Sequence, residues 1–121
     1  MKKLVEFVLE NHSTKEIFLF RVSCSNCGTR YENKPFLFSK AGITPASPAK
    51  QIIYDAVYEQ ELKDAKQSAA QSLSEHMNYC PICKQLVCNR CFLICDDLDM
   101  CNQCAERLNE NGKPVLAEII V

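Results

Sequence analysis

Eight of the nine cysteines in this chain occur in four Cys-x-x-Cys pairs. A tight turn over this spacing points both sulfurs at one metal ion, while backbone N–H groups face the thiolates. Eight thiolates supply two tetrahedral zinc sites with four ligands each. We therefore predict two structural zinc ions per chain, with iron as the alternative at either site. The predicted ligands are Cys24, Cys27, Cys80, Cys83, Cys88, Cys91, Cys101 and Cys104.

The spacing leaves open which pairs share a metal. In a sequential arrangement, the first and second pairs along the chain bind one ion and the third and fourth bind the other, as in two consecutive zinc ribbons. In a crossed arrangement, the first pair shares an ion with the third, and the second pair shares an ion with the fourth.

Three further side chains with metal-binding chemistry lie outside the pairs. Cys95 is interpreted as a small buried apolar residue, because its spacing from Cys91 does not suit a ligand of the same turn. The aspartates that follow it would raise the pKa of its thiol rather than activate it. His12 is expected in an exposed turn, and His76 is expected to cap the end of a helix. Neither histidine is needed as a ligand.

The segments before the second pair predict an α+β fold. Residues 3–9 and 16–22 are rich in β-branched and aromatic residues and predict an N-terminal β-hairpin, with Phe7, Phe18 and Phe20 in the core. Gly28, directly after the first pair, suits a left-handed turn. Residues 32–48 contain three of the prolines and predict a loop, with the aromatic residues at 36–38 against the core.

A long amphipathic helix is predicted over 49–78, with Ser47 as its N-cap and Pro48 in its first turn. It would be about 40 Å long, more than so small a domain covers. We expect the hairpin, a partner protein or a second copy of the chain to cover part of its apolar face; in the alternative, hairpin and loop cover it all. The face consists of Tyr58, Leu62, Ala65, Ala69, Leu73 and Met77.

After this helix come the three clustered pairs, a short helix over 102–109 that Asn111-Gly112 ends, and a final strand over 114–121. The chain is thus predicted to be a single zinc-binding domain with an inserted helix. Its segments are 1–31 (hairpin and first pair), 32–48 (loop), 49–78 (long helix) and 79–121 (clustered pairs, short helix and final strand).

The segment CPICKQLVCNRC, followed by a last pair that opens a helix in MCNQCAERL, resembles FYVE-type cross-brace (treble-clef) zinc fingers. That resemblance implies the crossed arrangement, which we favour. The basic segment with which FYVE domains bind phosphoinositides is replaced here by SEHMNY, so that activity is not implied, and the insertion after Cys27 is much longer than usual. The chain also resembles small microbial zinc-ribbon proteins, a likeness that implies zinc alone.

Function is expected to be non-enzymatic. Two closed four-cysteine sites leave no coordination position for substrate, and two histidines offer little acid–base chemistry. The formal net charge of −1 and the absence of a basic stripe disfavour nucleic acid as a partner. We expect a protein-interaction module that binds through the long helix. The alternatives are a nucleic-acid-binding zinc ribbon, with basic residues around the first pair, and a zinc-linked thiol redox switch.

The composition also predicts the cellular compartment of the protein. No apolar run approaches the length of a membrane span, and paired cysteines in a chain of this kind indicate a reducing compartment. We expect a cytoplasmic protein that does not bind a membrane.

Overall fold

The computed structural model describes residues 1–116 and confirms the α+β class. Within these residues, three α-helices are joined by short antiparallel strands. The helices are α1 (Lys2–Val8), α2 (Pro48–Leu73) and α3 (Asn102–Leu108). The strands are β1 (Glu10–Asn11), β2 (Ile17–Phe18), β3 (Phe20–Ser23), β4 (Arg30–Glu32), β5 (Phe36–Leu37), β6 (Met77–Tyr79), β7 (Leu86–Cys88), β8 (Phe92–Cys95), β9 (Met100–Cys101) and β10 (Gly112–Pro114).

The chain divides into two compact units, each formed from discontinuous segments. The helical unit contains Lys2–Val22 and Glu32–Leu73. Among the described residues, the cysteine unit contains Met1, Ser23–Tyr31 and residues 74–116. The expectation of a single domain stays a prediction.

The prediction of a strand over 3–9 is wrong, because Lys2–Val8 forms helix α1. Burial follows a helical period: Val5 and Leu9, four residues apart, are buried, whereas Phe7 is 87% exposed. Phe7 is therefore not a core residue. The hairpin is present in a shorter form, in which Glu10 of β1 lies opposite Arg21 of β3.

An aromatic cluster forms the core of the helical unit. The rings of Phe18 and Phe38 meet edge-to-face with centroids 5.8 Å apart, and Tyr54 and Tyr58 of α2 pack against Phe38 at 5.3 and 5.1 Å. Phe18, Phe20 and Phe38 are almost fully buried. Edge-to-face aromatic pairs of this kind stabilise a core by more than the burial of their apolar surface alone would.

The predicted loop over 32–48 contains strand β5, which pairs antiparallel with β2. The backbone of Phe36 lies opposite Phe18, and the chain then turns inward at Phe38. Of the three residues expected against the core, only Phe38 is buried; Phe36 and Leu37 are exposed.

Helix α2 begins as predicted. The Ser47 hydroxyl accepts a hydrogen bond from the Lys50 N–H at 3.2 Å, and Pro48 occupies the first helical position. Toward its end, α2 buries Ala65, Ala69, Ala70 and Leu73. Small alanine side chains allow close packing, and α1 is one of the elements that contact α2.

The predicted end of α2 is too late. The helix stops at Leu73, a 3₁₀ turn covers Ser74–His76, and Met77–Tyr79 forms β6. This strand pairs antiparallel with β7, with Met77 opposite Cys88, and so leads directly into the second cysteine pair. The backbone groups of 77–79 bond across the hairpin rather than along the helix.

The rest of the cysteine unit is a sheet of order β10–β8–β9 and helix α3. The short helix is confirmed, although Asn109 in the left-handed conformation ends it, ahead of Asn111. The last strand was predicted over 114–121, but β10 ends at Pro114, and Val115 and Leu116 lie outside any strand. Residues 117–121 of that prediction lie outside the described part of the chain. At Gly112 a Cβ would lie 2.7 Å from the Cys95 sulfur, so this close pairing of β10 with β8 requires glycine.

Candidate metal centres

The eight paired cysteines form two groups of four in the structure. Within each group, all sulfur atoms lie within 4.8 Å of one another. The first centre consists of Cys24, Cys27, Cys88 and Cys91, and the second of Cys80, Cys83, Cys101 and Cys104. This is the crossed arrangement. The β6–β7 hairpin separates the second and third pairs, because Cys80 and Cys83 lie in its turn, whereas Cys88 lies at its opposite end, across from Met77.

The sulfur spacing fits a tetrahedral ion. With Zn–S bonds of about 2.3 Å, the edge of the tetrahedron is about 3.8 Å. The Sγ atoms of Cys27 and Cys88 are 3.7 Å apart, those of Cys83 and Cys101 are 3.8 Å apart, and those of Cys80 and Cys104 are 3.9 Å apart. All eight cysteines are free thiols, since a disulfide requires about 2.05 Å.

Two equivalent turns present the first and second pairs. The Gly28 N–H donates to the Cys24 carbonyl at 3.0 Å, and the Lys84 N–H donates to the Cys80 carbonyl at 2.8 Å. The residue after each pair has a positive φ, 76° at Gly28 and 61° at Lys84. The left-handed turn predicted at Gly28 is confirmed, and Lys84 adopts it without being glycine.

Backbone N–H groups surround the sulfurs. Cys24 Sγ accepts from the N–H of Cys27 at 3.4 Å and from that of Cys88 at 3.2 Å. In the second centre, Cys80 Sγ accepts from the Cys101 N–H at 3.3 Å, and Cys101 Sγ accepts from the Cys104 N–H at 3.4 Å. The latter bond also caps the start of α3. Donors of this kind stabilise thiolate charge.

This environment favours the thiolate at one sulfur in each centre above all. The Thr29 hydroxyl, 3.1 Å from Cys27 Sγ, lowers the pKa of that thiol to about 6. Burial raises the pKa of Cys80, but the N–H groups of Cys101 and Cys83 outweigh burial and lower it to about 6.

Other sulfurs in the same centres hold their protons. Burial and the adjacent sulfurs of the first centre raise the pKa of Cys91, and burial together with the sulfurs of Cys101 and Cys83 raises the pKa of Cys104 to about 12. Four thiolates this close repel one another, and only a cation between them makes all four ionise readily. The donor set therefore fits a thiophilic divalent metal such as zinc.

An arginine accompanies each centre. Arg90 donates to the Thr29 hydroxyl at 3.0 Å, and that hydroxyl contacts Cys27 Sγ. Arg107 Nη2 lies 3.6 Å from Cys104 Sγ in the second centre. The contact of Arg107 with the second centre was not predicted from the sequence. The signal was its position three residues after Cys104 on a predicted helix, which puts both side chains on one face.

Two asparagines link the centres. Asn26, inside the first pair, donates to the Asn102 side chain at 2.7 Å, and Asn102 immediately follows Cys101. The Asn102 N–H in turn donates to the Cys91 carbonyl at 2.7 Å. Burial raises the pKa of the Cys101 thiol, but the Asn26 side chain and the Cys104 N–H outweigh it and lower this pKa below its ordinary value. Ordering one centre therefore positions residues of the other.

The remaining candidates lie outside both centres. Cys95 is half-buried, and burial together with Glu110 and Asp99 raises the pKa of its thiol. His12 is exposed and contacts Glu10. His76 lies in the 3₁₀ turn after α2, and its ring stacks on Tyr31 with centroids 5.0 Å apart.

Comparison of the chain with protein-family models, curated proteins and solved structures found no match. Among the described residues, no helix has the length and apolar character needed to cross a membrane.

Proposed function

We propose that this chain is a non-enzymatic interaction module in which two structural zinc ions hold the cysteine unit together. The observation that carries the proposal is the pair of four-sulfur groups with the edge lengths of a zinc tetrahedron. The crossed arrangement, with α3 beginning at the last pair, favours a cross-brace finger of the treble-clef type.

The proposal of a structural rather than catalytic role rests on the ligand count. Catalytic zinc sites keep three protein ligands and leave the fourth position to water or substrate. Each centre here offers four sulfurs, and no histidine or carboxylate belongs to either group in the described residues. Metal bound in this way stabilises a fold and leaves no position for a substrate.

The interaction role rests on the helical unit. The first half of α2 exposes apolar side chains that its own chain leaves uncovered, with Ile52 71% and Ile53 50% exposed. Large apolar side chains clustered at a surface typically mark a site of contact with another protein. The partner-binding surface is therefore proposed on this half of α2.

A nucleic-acid partner is the weaker proposal. Of the basic residues near the first pair, Arg21 is engaged by Glu32, to which its guanidinium bonds at 2.7 and 2.8 Å. An arginine held in an ion pair contributes less to phosphate binding, which depends on free cationic side chains.

Titration of the metal-free chain with Co²⁺ tests the metal assignment, because its absorption bands report ligand type and geometry. We expect saturation at two equivalents, with the sulfur-to-cobalt charge-transfer bands of tetrahedral four-thiolate sites, and displacement of Co²⁺ by Zn²⁺. Cys95→Ser is the matched control and should leave the spectrum unchanged. Saturation at one equivalent, or a six-coordinate spectrum, would refute two closed centres.

A further inference from the structure

Helix α1 presents an unusual outer face. Val5 and Leu9 are buried, while Leu4 is 44% exposed and Phe7 is 87% exposed. Lys2 and Lys3 are exposed on the same short helix. Phe7 follows Leu4 by three residues and Lys3 by four, so these exposed side chains share one side of α1. Together with Lys2 at the start of the helix they form an apolar and basic surface, which we call the α1 face (Lys2, Lys3, Leu4 and Phe7).

The helical unit also contains a groove of the opposite character. It has a volume of about 790 Å³ and lies between the first half of α2, the turn at Lys15–Glu16 and the loop over 42–45. The residues that line it include three acidic residues, two tyrosines and one aliphatic residue, namely Glu16, Asp55, Glu59, Tyr54, Tyr58 and Ile43. The three acidic residues are exposed, and no residue of α1 lines the groove.

We propose that the α1 face of one copy docks in this groove of a second copy, and reciprocally, so that the chain forms a two-fold symmetric dimer. Phe7 and Leu4 would pack against the tyrosine rings and Ile43, and the ammonium groups of Lys2 and Lys3 would pair with the carboxylates. The inference rests on the proposed function as an interaction module and specifies the partner as a second copy.

Complementarity of charge selects this occupant. The groove carries three carboxylates against one lysine, and α1 carries two lysines against one glutamate, Glu6. Its volume is within the range of about 300–1,000 Å³ typical of binding pockets and accommodates more than one side chain. In a two-fold symmetric dimer each contact occurs twice, so a modest complementary surface is doubled.

Charge exchange tests the docking directly. One variant carries Lys2→Glu and Lys3→Glu, and the other carries Asp55→Lys and Glu59→Lys. All four positions are exposed, so each variant should keep the helical content and metal content of the parent protein. Size-exclusion chromatography with light scattering, combined with elemental analysis of metal per chain, measures oligomeric state and metal content together.

We expect the parent protein to be dimeric and each variant alone to dimerise about tenfold or more weakly, because like charges then face each other in both contacts. An equimolar mixture should form the dimer again, since both contacts become complementary. Lys63→Glu, on the exposed part of α2 away from the groove lining, is the control and should stay dimeric. Phe7→Ser should weaken the dimer without unfolding the chain.

Three results would overturn the docking. These are a parent protein that stays monomeric at high micromolar concentration, variants that dimerise like the parent, or a mixture no more dimeric than its components. A monomer with two metals per chain would refute the docking alone, and a different protein would then be the occupant to seek. A chain that binds no metal would instead refute the proposed structural centres.

Discussion

The two units of this chain rely on different interactions for their stability. The helical unit buries three phenylalanines almost completely, together with Val5 and three alanines of α2, Ala65, Ala69 and Ala70. In the cysteine unit, the largest fully buried side chains are Val87 and three cysteines, Cys80, Cys88 and Cys101. Hydrophobic burial explains the first unit without a metal. It does not by itself explain the second, whose interior also holds sulfur groups that repel one another when ionised.

This difference shows how a small region with few apolar residues can hold a defined fold. Small domains cannot bury enough apolar surface for independent stability, and a metal provides the missing free energy. The comparison therefore predicts that the two units respond to different substitutions.

The largest effect is expected from Cys101→Ser. Serine keeps a hydroxyl that can cap α3, so the change removes little more than one thiolate ligand. Structural zinc contributes on the order of 10–16 kcal/mol to folding. We expect loss of the second metal and loss of amide protection over Met77–Pro114, with protection in α2 retained. Cys95→Ser is the control, and hydrogen exchange is the measurement. Equal loss of protection in both units would contradict independent stabilisation.

Phe38→Ala should affect the other unit. Truncation of this buried ring leaves a cavity among Phe18, Tyr54 and Tyr58 and should destabilise the helical unit by about 3–5 kcal/mol. Metal content should not change. Phe36→Ala, at a position that is 40% exposed, is the matched control and should cost much less. Denaturant unfolding followed by circular dichroism measures the stability of both variants. A loss of metal in Phe38→Ala would contradict independent stabilisation of the two units.

A smaller effect is expected at Asn33, a buried polar residue of the helical unit. Its side chain accepts from the Phe20 N–H at 2.7 Å and donates to the carbonyls of Lys34 at 2.8 Å and Phe18 at 3.3 Å. Asn33→Ala leaves these groups unsatisfied and should cost about 1–3 kcal/mol in the same unfolding assay. The exposed Asn11→Ala is the comparison, and equal effects of the two would show that burial of Asn33 is unimportant.

The smallest effects should distinguish the two centres. At Gly28, where φ is 76° and a Cβ would meet nothing within 4 Å, alanine introduces backbone strain alone. Gly28→Ala should weaken metal binding at the first centre by about 1–2 kcal/mol. Lys84→Gly relieves the same strain at the second centre and should strengthen binding there by about 1 kcal/mol or less. Competition with a chromophoric chelator measures the metal affinity of each variant. If the two substitutions change affinity in the same direction, the two turns are not equivalent.

Local signals in the sequence were sufficient for several elements. The Ser47 cap with Pro48, the helix after the last pair and the turn at Gly28 were predicted because each depends on neighbouring residues. The strand predicted over 3–9 failed because the prediction rested on β-branched and aromatic residues, and a short apolar segment of this kind also fits a helix. Packing of Val5 and Leu9 decided between the two.

Long-range features were beyond the sequence. Spacing alone left the crossed and sequential arrangements open, since either satisfies four Cys-x-x-Cys pairs. The contact between Asn26 and Asn102 joins residues 76 positions apart, and no local signal predicts it. The end of α2 at Leu73 likewise depends on the pairing of β6 with β7, and no glycine or proline marks it.

The central claim is that two four-cysteine centres each bind one structural zinc ion. Native mass spectrometry of the full chain, purified without added metal, tests it most directly because mass gives both the identity and the number of bound ions. The account predicts two zinc ions per chain, with one lost in Cys101→Ser. A single ion, no ion, or iron in place of zinc in the parent protein would contradict it.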